Sequence, residues 1–256
     1  MSQFKDEMKS RIADMAANDG LKDSALAFLQ ASVQPQYSYN FHWMNRPIIQ
    51  YPQDIVAMQE LIFEIKPDLI IETGIAHGGS LIFSASMLAL LDMSEAIEAG
   101  TQLDPARSNR KVLGVDIDIR THNRAAINAH PMASRIEMIE GSSIAEDVIT
   151  QVREIASAHT RILVCLDSNH THDHVRQELE LYAPLTSVGS YCVVFDTLIE
   201  DMPADAYPNR DWGPGNNPKT AVWDYVKTHP EFEIDRAISD KLLVSVADDG
   251  FLRRIS

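Results

Sequence analysis

From residue 53 onward one repeated pattern limits the fold of this chain more than any other feature. Short, apolar, β-branched runs close on an acid or a glycine, and each is followed by a stretch of helical periodicity. The runs are Leu69 to Glu72, Val112 to Asp116, Ile136 to Ile139, Ile162 to Asp167 and Tyr191 to Asp196, with a closing pair expected at Phe232 to Ile234 and Leu242 to Val246. Strands and helices alternating at this spacing require parallel pairing through right-handed crossovers. The runs are apolar almost throughout instead of alternating, as strands covered on both faces are. The fold class is therefore α/β, a doubly wound, mostly parallel, Rossmann-like sheet.

Before this pattern, Phe4, Met8, Ile12 and Met15 recur at spacings of three and four, and Leu21 to Val33 continues as a second helical stretch after Asp19-Gly20. Gln34 to Pro52 is rich in Pro, Tyr, Asn and Gln around a lone Trp43, which reads as an ordered loop laid over the domain: a substrate lid, an oligomer contact or plain packing. The chain thus divides into a helical and loop extension, 1–52, and a sheet domain, 53–256. With 22 Lys plus Arg against 37 Asp plus Glu, the 256 residues carry a formal charge of -15. Such a surface is repelled by nucleic acid and by anionic lipid, so neither is an expected partner. The two cysteines, Cys165 and Cys192, lie in apolar runs and are expected as reduced core thiols. The N-terminus lacks a basic head followed by an apolar stretch, and no run is expected to approach the roughly 18 apolar residues of a membrane span, so the expected location is the cytoplasm.

In a doubly wound sheet, ligands bind beyond the carboxyl ends of the strands, near the point where strand order reverses. Glu72, Asp116, Asp167 and Asp196 all fall at expected strand ends, and four acids on one edge repel unless a cation, a hydroxyl or a positive helix end compensates them. After Glu72 come Thr73, Gly74, Ile75, Ala76, His77, Gly78, Gly79 and Ser80, a glycine-rich turn that lets backbone amides at a helix N-terminus approach a ligand. Its spacing matches neither the GxGxxG dinucleotide turn nor a phosphate-cradling loop. Asp116, with Asp118 two residues on, is placed to accept from a ribose diol, and Ser142 and Ser143 after the third strand to meet an adenine edge. Together these strand ends describe an adenosyl pocket. The fourth and fifth strands lead into Asp167-Ser168-Asn169-His170 and Phe195-Asp196-Thr197, an oxygen-rich pair of loops that suits Mg²⁺. His170, His172 and His174 lie two apart on a loop without an HExxH or cysteine partner, which argues against zinc, and Asp173-His174 also reads as the cap and first turn of a helix. The only His-x-acid triplet, His229-Pro230-Glu231, has no later histidine, and there is no GxSxG elbow, which argues against iron-dependent hydroxylation and against acyl transfer.

Several blocks resemble the cephalosporin hydroxylase family: Pro67 to Gly74, the Ala76-His77-Gly78-Gly79-Ser80 turn, Asp167 to His170, Glu180 to Leu185, Val193 to Thr197, Gly213-Pro214-Gly215 and Gly250 to Arg254. Despite its name, that family consists of class I S-adenosylmethionine-dependent methyltransferases, among them the cephamycin-pathway protein and rhamnosyl O-methyltransferases. The resemblance runs from about Trp43 to the end. It implies that Glu72, Gly74, His77, Gly78, Gly79 and Ser80 surround the methionine and ribose parts of S-adenosylmethionine, that Asp116 holds the ribose, and that Asp167 and Asp196 ligate Mg²⁺. Where the cephamycin member has Glu-Asp this chain has Phe195-Asp196, and where it has Asp-Ser-Asp-His this chain has Asp167-Ser168-Asn169-His170. With two acids fewer, Asn169 enters as a neutral ligand, or metal binding is weakened or lost.

The expected activity is methyl transfer to a hydroxyl of a small molecule, a sugar or a secondary metabolite, with Asp167 at the metal and His170 taking the proton. Leu198 to Asn217 is long for a connection, and Tyr207 and Trp212 within it, with the Tyr37 to Tyr51 segment, are expected to form the acceptor side. The rival expectation is a non-catalytic adenosyl-ligand binding or assembly protein with a degenerate metal site. Family members form homo-oligomers, which favours packing of the N-terminal helices on a second subunit over packing on their own domain.

Overall fold

The structure, a computed structural model, describes residues 2–105 and 107–256. The expected N-terminal helices form as α1 (Ser2–Ala16) and α2 (Asp19–Val33), with the Asn18 side chain capping α2 by accepting from the Leu21 amide. Helix α2 buries Ala25, Leu29 and Ser32. The segment expected as an irregular loop folds instead into a short helical turn and a hairpin, β1 (Phe41–Trp43) and β2 (Arg46–Ile48), paired antiparallel with Phe41 opposite Ile48. Met44 and Asn45 both take positive φ, 43° and 67°, the two-residue turn whose twist matches paired strands and which Asn tolerates well.

Helix α3 (Pro52–Ile65) starts on a proline, already preset for the first helical turn. The expected alternation follows: β3 (Leu69–Thr73), α4 (Gly79–Ala99), β4 (Lys111–Asp116), α5 (Thr121–Asn128), β5 (Ile136–Glu140), α6 (Glu146–Ala156), β6 (Ile162–Leu166), α7 (His172–Tyr182), β7 (Tyr191–Val194), α8 (Pro218–Thr228), β8 (Phe232–Ile234), α9 (Arg236–Leu242) and β9 (Phe251–Arg254). The strands order as β5-β4-β3-β6-β7-β9-β8, parallel from β5 to β7, with β9 antiparallel to both β7 and β8. Chain order reverses between β3 and β6, so the ends of these two strands flank the crevice that this topology offers a ligand.

Side chains of β3 alternate between the two faces. Ile70 joins Leu81, Leu88 and Leu163 on the face covered by α3, α4 and the hairpin, while Leu69 and Ile71 join Val164, Val175, Tyr182 and Tyr225 on the other. Each fully buried Ile or Leu contributes roughly 1.5–3 kcal/mol, which explains why runs apolar on both faces hold the sheet centre. Both cysteines are free and buried, as expected, and burial pushes their thiols up.

Two expectations need correction. Leu242 to Val246 is not a strand: Leu242 ends α9, Leu243 turns at φ 60°, and the Val246 amide donates to Asp54 Oδ2 (3.0 Å), not to a neighbouring strand. The last strand is β9, nine residues further on. Helix α4 is also long and apolar enough to cross a membrane by length and composition; half of its apolar window is buried in this chain, with Leu81, Ile82, Phe83, Ala85, Leu88 and Leu91 in the core.

Candidate active site

The turn between β3 and α4 is shaped by contacts that leave no room for larger residues. Gly74 sits at φ 89°, and a Cβ there would lie 2.0 Å from the Asp167 carbonyl oxygen; at Gly79 it would lie 2.1 Å from that of Pro47. The glycines therefore bring the turn against the end of β6 on one side and against the hairpin on the other. Asp116, the last residue of β4, accepts from the Ile75 and Ala76 amides through Oδ2 (2.7 and 3.2 Å) and from the Asp118 amide through Oδ1 (3.1 Å). Its carboxylate braces the turn and retains one open lone-pair position, with exposed Asp118 beside it.

Three residues that brace the turn and the end of β6, Arg46, Asn123 and Gln50, escaped the sequence reading. The Arg46 guanidinium, from β2, donates to the His77 carbonyl (Nε, 3.0 Å) and to Asn123 Oδ1 (3.0 Å), and Asn123 in turn donates to the Ala76 carbonyl (2.9 Å). Gln50 donates weakly to Asp167 Oδ2 at 3.4 Å across 117 residues of sequence. None of them carries a local signal, because each acts on chain distant from its own. Glu72, 4% exposed, accepts the Ser80 hydroxyl, and burial pushes its carboxyl up to about 8.

At the other side of the crevice Asp167 follows β6 directly and Asp196 lies two residues beyond β7, held at φ 56°, ψ 21°. One donor atom each from Asp167, His170 and Asp196 lie within 4.8 Å of one another, with His170 Nε2 3.3 Å from Asp196 Oδ2. Burial and the facing Asp196 carboxylate hold the Asp167 carboxyl well above the usual carboxylate range. Two close acids without a cation between them are the donor chemistry that a hard divalent ion satisfies. Asn169 turns back on its own loop: its Oδ1 accepts from the Thr171 amide (2.9 Å) and hydroxyl (2.8 Å), which uses the oxygen a neutral ligand would offer.

Helix α7 begins at His172, so Asp173 sits inside its first turn and not at the cap. His172 Nδ1 meets the Thr220 hydroxyl at 2.8 Å and His174 Nε2 the Ser143 hydroxyl at 3.1 Å, so both rings are engaged structurally. Ser143 is 5% exposed, and its carbonyl accepts the Tyr182 hydroxyl at 2.7 Å.

A cavity of about 730 Å³ joins these parts. Gly74, His77, Gly79, Ser80 and Asp116 line one side, Asp167, Asn169, His170 and Asp196 another, and Tyr39, Gln50, Tyr51, Tyr207, Arg210 and Trp212 the third. The lining does not include Glu72, Gly78, Asp118, Ser142 or Ser143. The Trp212 ring stands edge-on to the His170 ring at 5.2 Å, and Tyr207 packs on Trp212 at 4.5 Å.

Residues 35–255 match the family described as Rhamnosyl O-methyltransferase/CmcI. A rhamnosyl O-methyltransferase of Mycobacterium leprae is 30% identical over 214 residues, covering 83% of this chain and 82% of that protein. A structure of CmcI with Mg and SAM superposes with a TM-score of 0.53 at 16% identity, over 85% of this chain and 78% of that one. The O-methyltransferase TomG from Streptomyces achromogenes superposes at 0.50 and 12% identity, over 82% and 79%. The fold and the match over most of its length make one assignment: the chain belongs to the Rhamnosyl O-methyltransferase/CmcI family and is an S-adenosylmethionine-dependent methyltransferase.

Proposed function

We propose that this chain moves a methyl group from S-adenosylmethionine to a hydroxyl of a small molecule, a sugar or a secondary metabolite, with Mg²⁺ held by Asp167 and Asp196. The observation that carries the proposal is the convergence of Asp167, Asp196 and His170 in the cavity that the glycine turn also lines. When bound, the cofactor supplies an already activated methyl group and the divalent ion lowers the pKa of an acceptor hydroxyl. The turn from Gly74 to Ser80, braced by Asp116, holds the cofactor's methionine and ribose parts. Asp118 and the open lone-pair position of Asp116 accept from the ribose diol, and the Ser142–Ser143 loop edges the adenine. Glu72 acts from beneath, through Ser80. His170, oriented by Asp196 and by the Trp212 edge, takes the acceptor's proton on its imidazole. Tyr39, Tyr207 and Trp212 offer ring faces to the acceptor, and the names of the mycobacterial relatives make a rhamnoside the first acceptor to try.

In a second reading, favoured by the 4.8 Å grouping, His170 Nε2 is itself a metal ligand. That reading predicts tighter binding of Mn²⁺ or Co²⁺ than of Mg²⁺, since imidazole suits softer ions. We also place a second copy of the chain against the extension, residues 1–52, where α1 leaves Phe4 64% and Met8 38% exposed. The deciding experiment is turnover of a rhamnoside with and without Mg²⁺ by the wild type and by Asp196→Ala. Mg²⁺-stimulated methylation lost in the variant, with cofactor affinity retained, is the expected result; an unchanged metal response refutes the metal assignment.

A further inference from the structure

We propose that Asp54, in the first turn of α3, is a positioning residue that fixes the backbone of Asp196 through the Ser245–Ala247 turn. Asp54 is 1% exposed and has no cationic partner among the described residues. An acid in a first helical turn commonly serves its own helix's free amides, but this one faces away from them. Its Oδ1 accepts the Ser245 hydroxyl at 2.6 Å and its Oδ2 the Val246 amide at 3.0 Å, contacts that bridge 191 and 192 residues of sequence. Ser245 Oγ also accepts the Ala247 amide at 3.0 Å, so the carboxylate and the hydroxyl together define the turn.

The far side of that turn grips the chain immediately after Asp196. The Val246 carbonyl accepts the Thr197 hydroxyl at 3.2 Å and the Leu198 amide at 3.4 Å, and Thr197 is wholly buried. Asp196 is held at φ 56°, a left-handed conformation that Asp adopts more readily than most residues with a Cβ, yet uncommonly. The two bonds to Thr197 and Leu198 tie down the chain directly after this turn, and Asp54 holds the residue that accepts them. A carboxyl offers one oxygen to the hydroxyl and the other to the amide, whereas an asparagine presents an N–H on one side.

The inference rests on the reading of Asp196 as a metal ligand, and its test separates the two. Mg²⁺ is titrated calorimetrically into the full chain for the wild type, Asp196→Ala, Asp54→Ala, Ser245→Ala and Ser245→Thr, with thermal midpoints and amide exchange at Leu198 recorded alongside. Expected are loss of binding in Asp196→Ala, weakening by about tenfold in Asp54→Ala and in Ser245→Ala, as for groups that orient a ligand from behind, and near wild-type binding in Ser245→Thr. The Leu198 amide exchanges faster in both alanine variants with no metal present. Wild-type binding that survives Asp196→Ala refutes the metal reading alone, and the amide exchange still decides on Asp54. Lower midpoints with unchanged Mg²⁺ affinity and unchanged Leu198 exchange overturn the inference. If Asp54→Ala does not fold, Ser245→Ala and its threonine counterpart carry the same test.

Discussion

Glu72→Gln isolates the energetic cost of placing an acid under the cofactor turn. The side chain is 4% exposed, its hydrogen-bond partner among the described residues is the Ser80 hydroxyl, and its carboxyl is raised from 4.5 to about 8 by burial. The folded chain therefore holds a proton that the unfolded chain has already released across that span. Because the folded value is the higher one, the contribution to stability is fully present below pH 4.5, falls as pH rises towards 8, and is flat beyond. At about 1.4 kcal/mol per pH unit, the roughly two units between pH 6 and 8 remove about 3 kcal/mol from the wild type. Gln keeps the shape and still accepts from Ser80, yet has no proton to lose. Urea unfolding of the cofactor-free wild type and variant at pH 6 and pH 9 measures this directly. Of the other raised acids, Asp54 is common to both proteins and cancels in the difference, while Asp167, which the Glu72 charge helps to raise, is shifted less in the variant and changes the difference in the same direction. The variant is expected to gain on the wild type by about 3 kcal/mol over that interval. Parallel curves would refute the burial argument and leave Glu72 ionised in the fold.

Two substitutions probe His170 in the cavity and Arg46 behind the turn that lines it. His170→Ala is expected to lower kcat at least a hundredfold, as loss of a proton acceptor does, with the calorimetric affinity for S-adenosylmethionine unchanged; a silent variant would leave the ring as a neighbour of Trp212 only. Arg46→Ala leaves the His77 carbonyl and Asn123 without their donor, and at about 1 kcal/mol per lost bond cofactor affinity drops by roughly tenfold or more while Mg²⁺ binding holds. Equal cofactor affinity in variant and wild type would show that the turn keeps its shape unaided.

The five parallel strands were legible because burial on both faces writes itself into consecutive residues, and their acids were legible because the strand ends are local in sequence. The hairpin was hidden by the Tyr-, Asn-, Gln- and Pro-rich segment around it, whose composition reads as loop although Met44-Asn45 supplies the turn. The last strand was misplaced for a different reason. Leu242 to Val246 has the stronger β-propensity, but Asp54 claims the Val246 amide, and the sheet takes Phe251–Arg254 instead, with Phe251 and Leu252 buried. At the site the same division holds. Asp116, Asp167 and Asp196 announce themselves at strand ends, whereas Arg46, Gln50 and Asp54 act across 31 to 192 residues and leave no periodic trace.

The hairpin's grip on the turn has a thermodynamic consequence. Arg46 is tied to the His77 carbonyl, and the Pro47 carbonyl occupies the space above Gly79, so the turn cannot stiffen without the hairpin stiffening too. The same stretch of chain carries Gln50 and Tyr51 to the third wall of the cavity. A ligand that orders the turn therefore spares the next ligand part of the entropy of ordering that wall, and the favour is returned in equal measure. With the cofactor on the turn and the acceptor on that wall, as proposed, the two substrates are expected to reinforce each other's binding through the extension, and equal acceptor affinity with and without the cofactor would refute it.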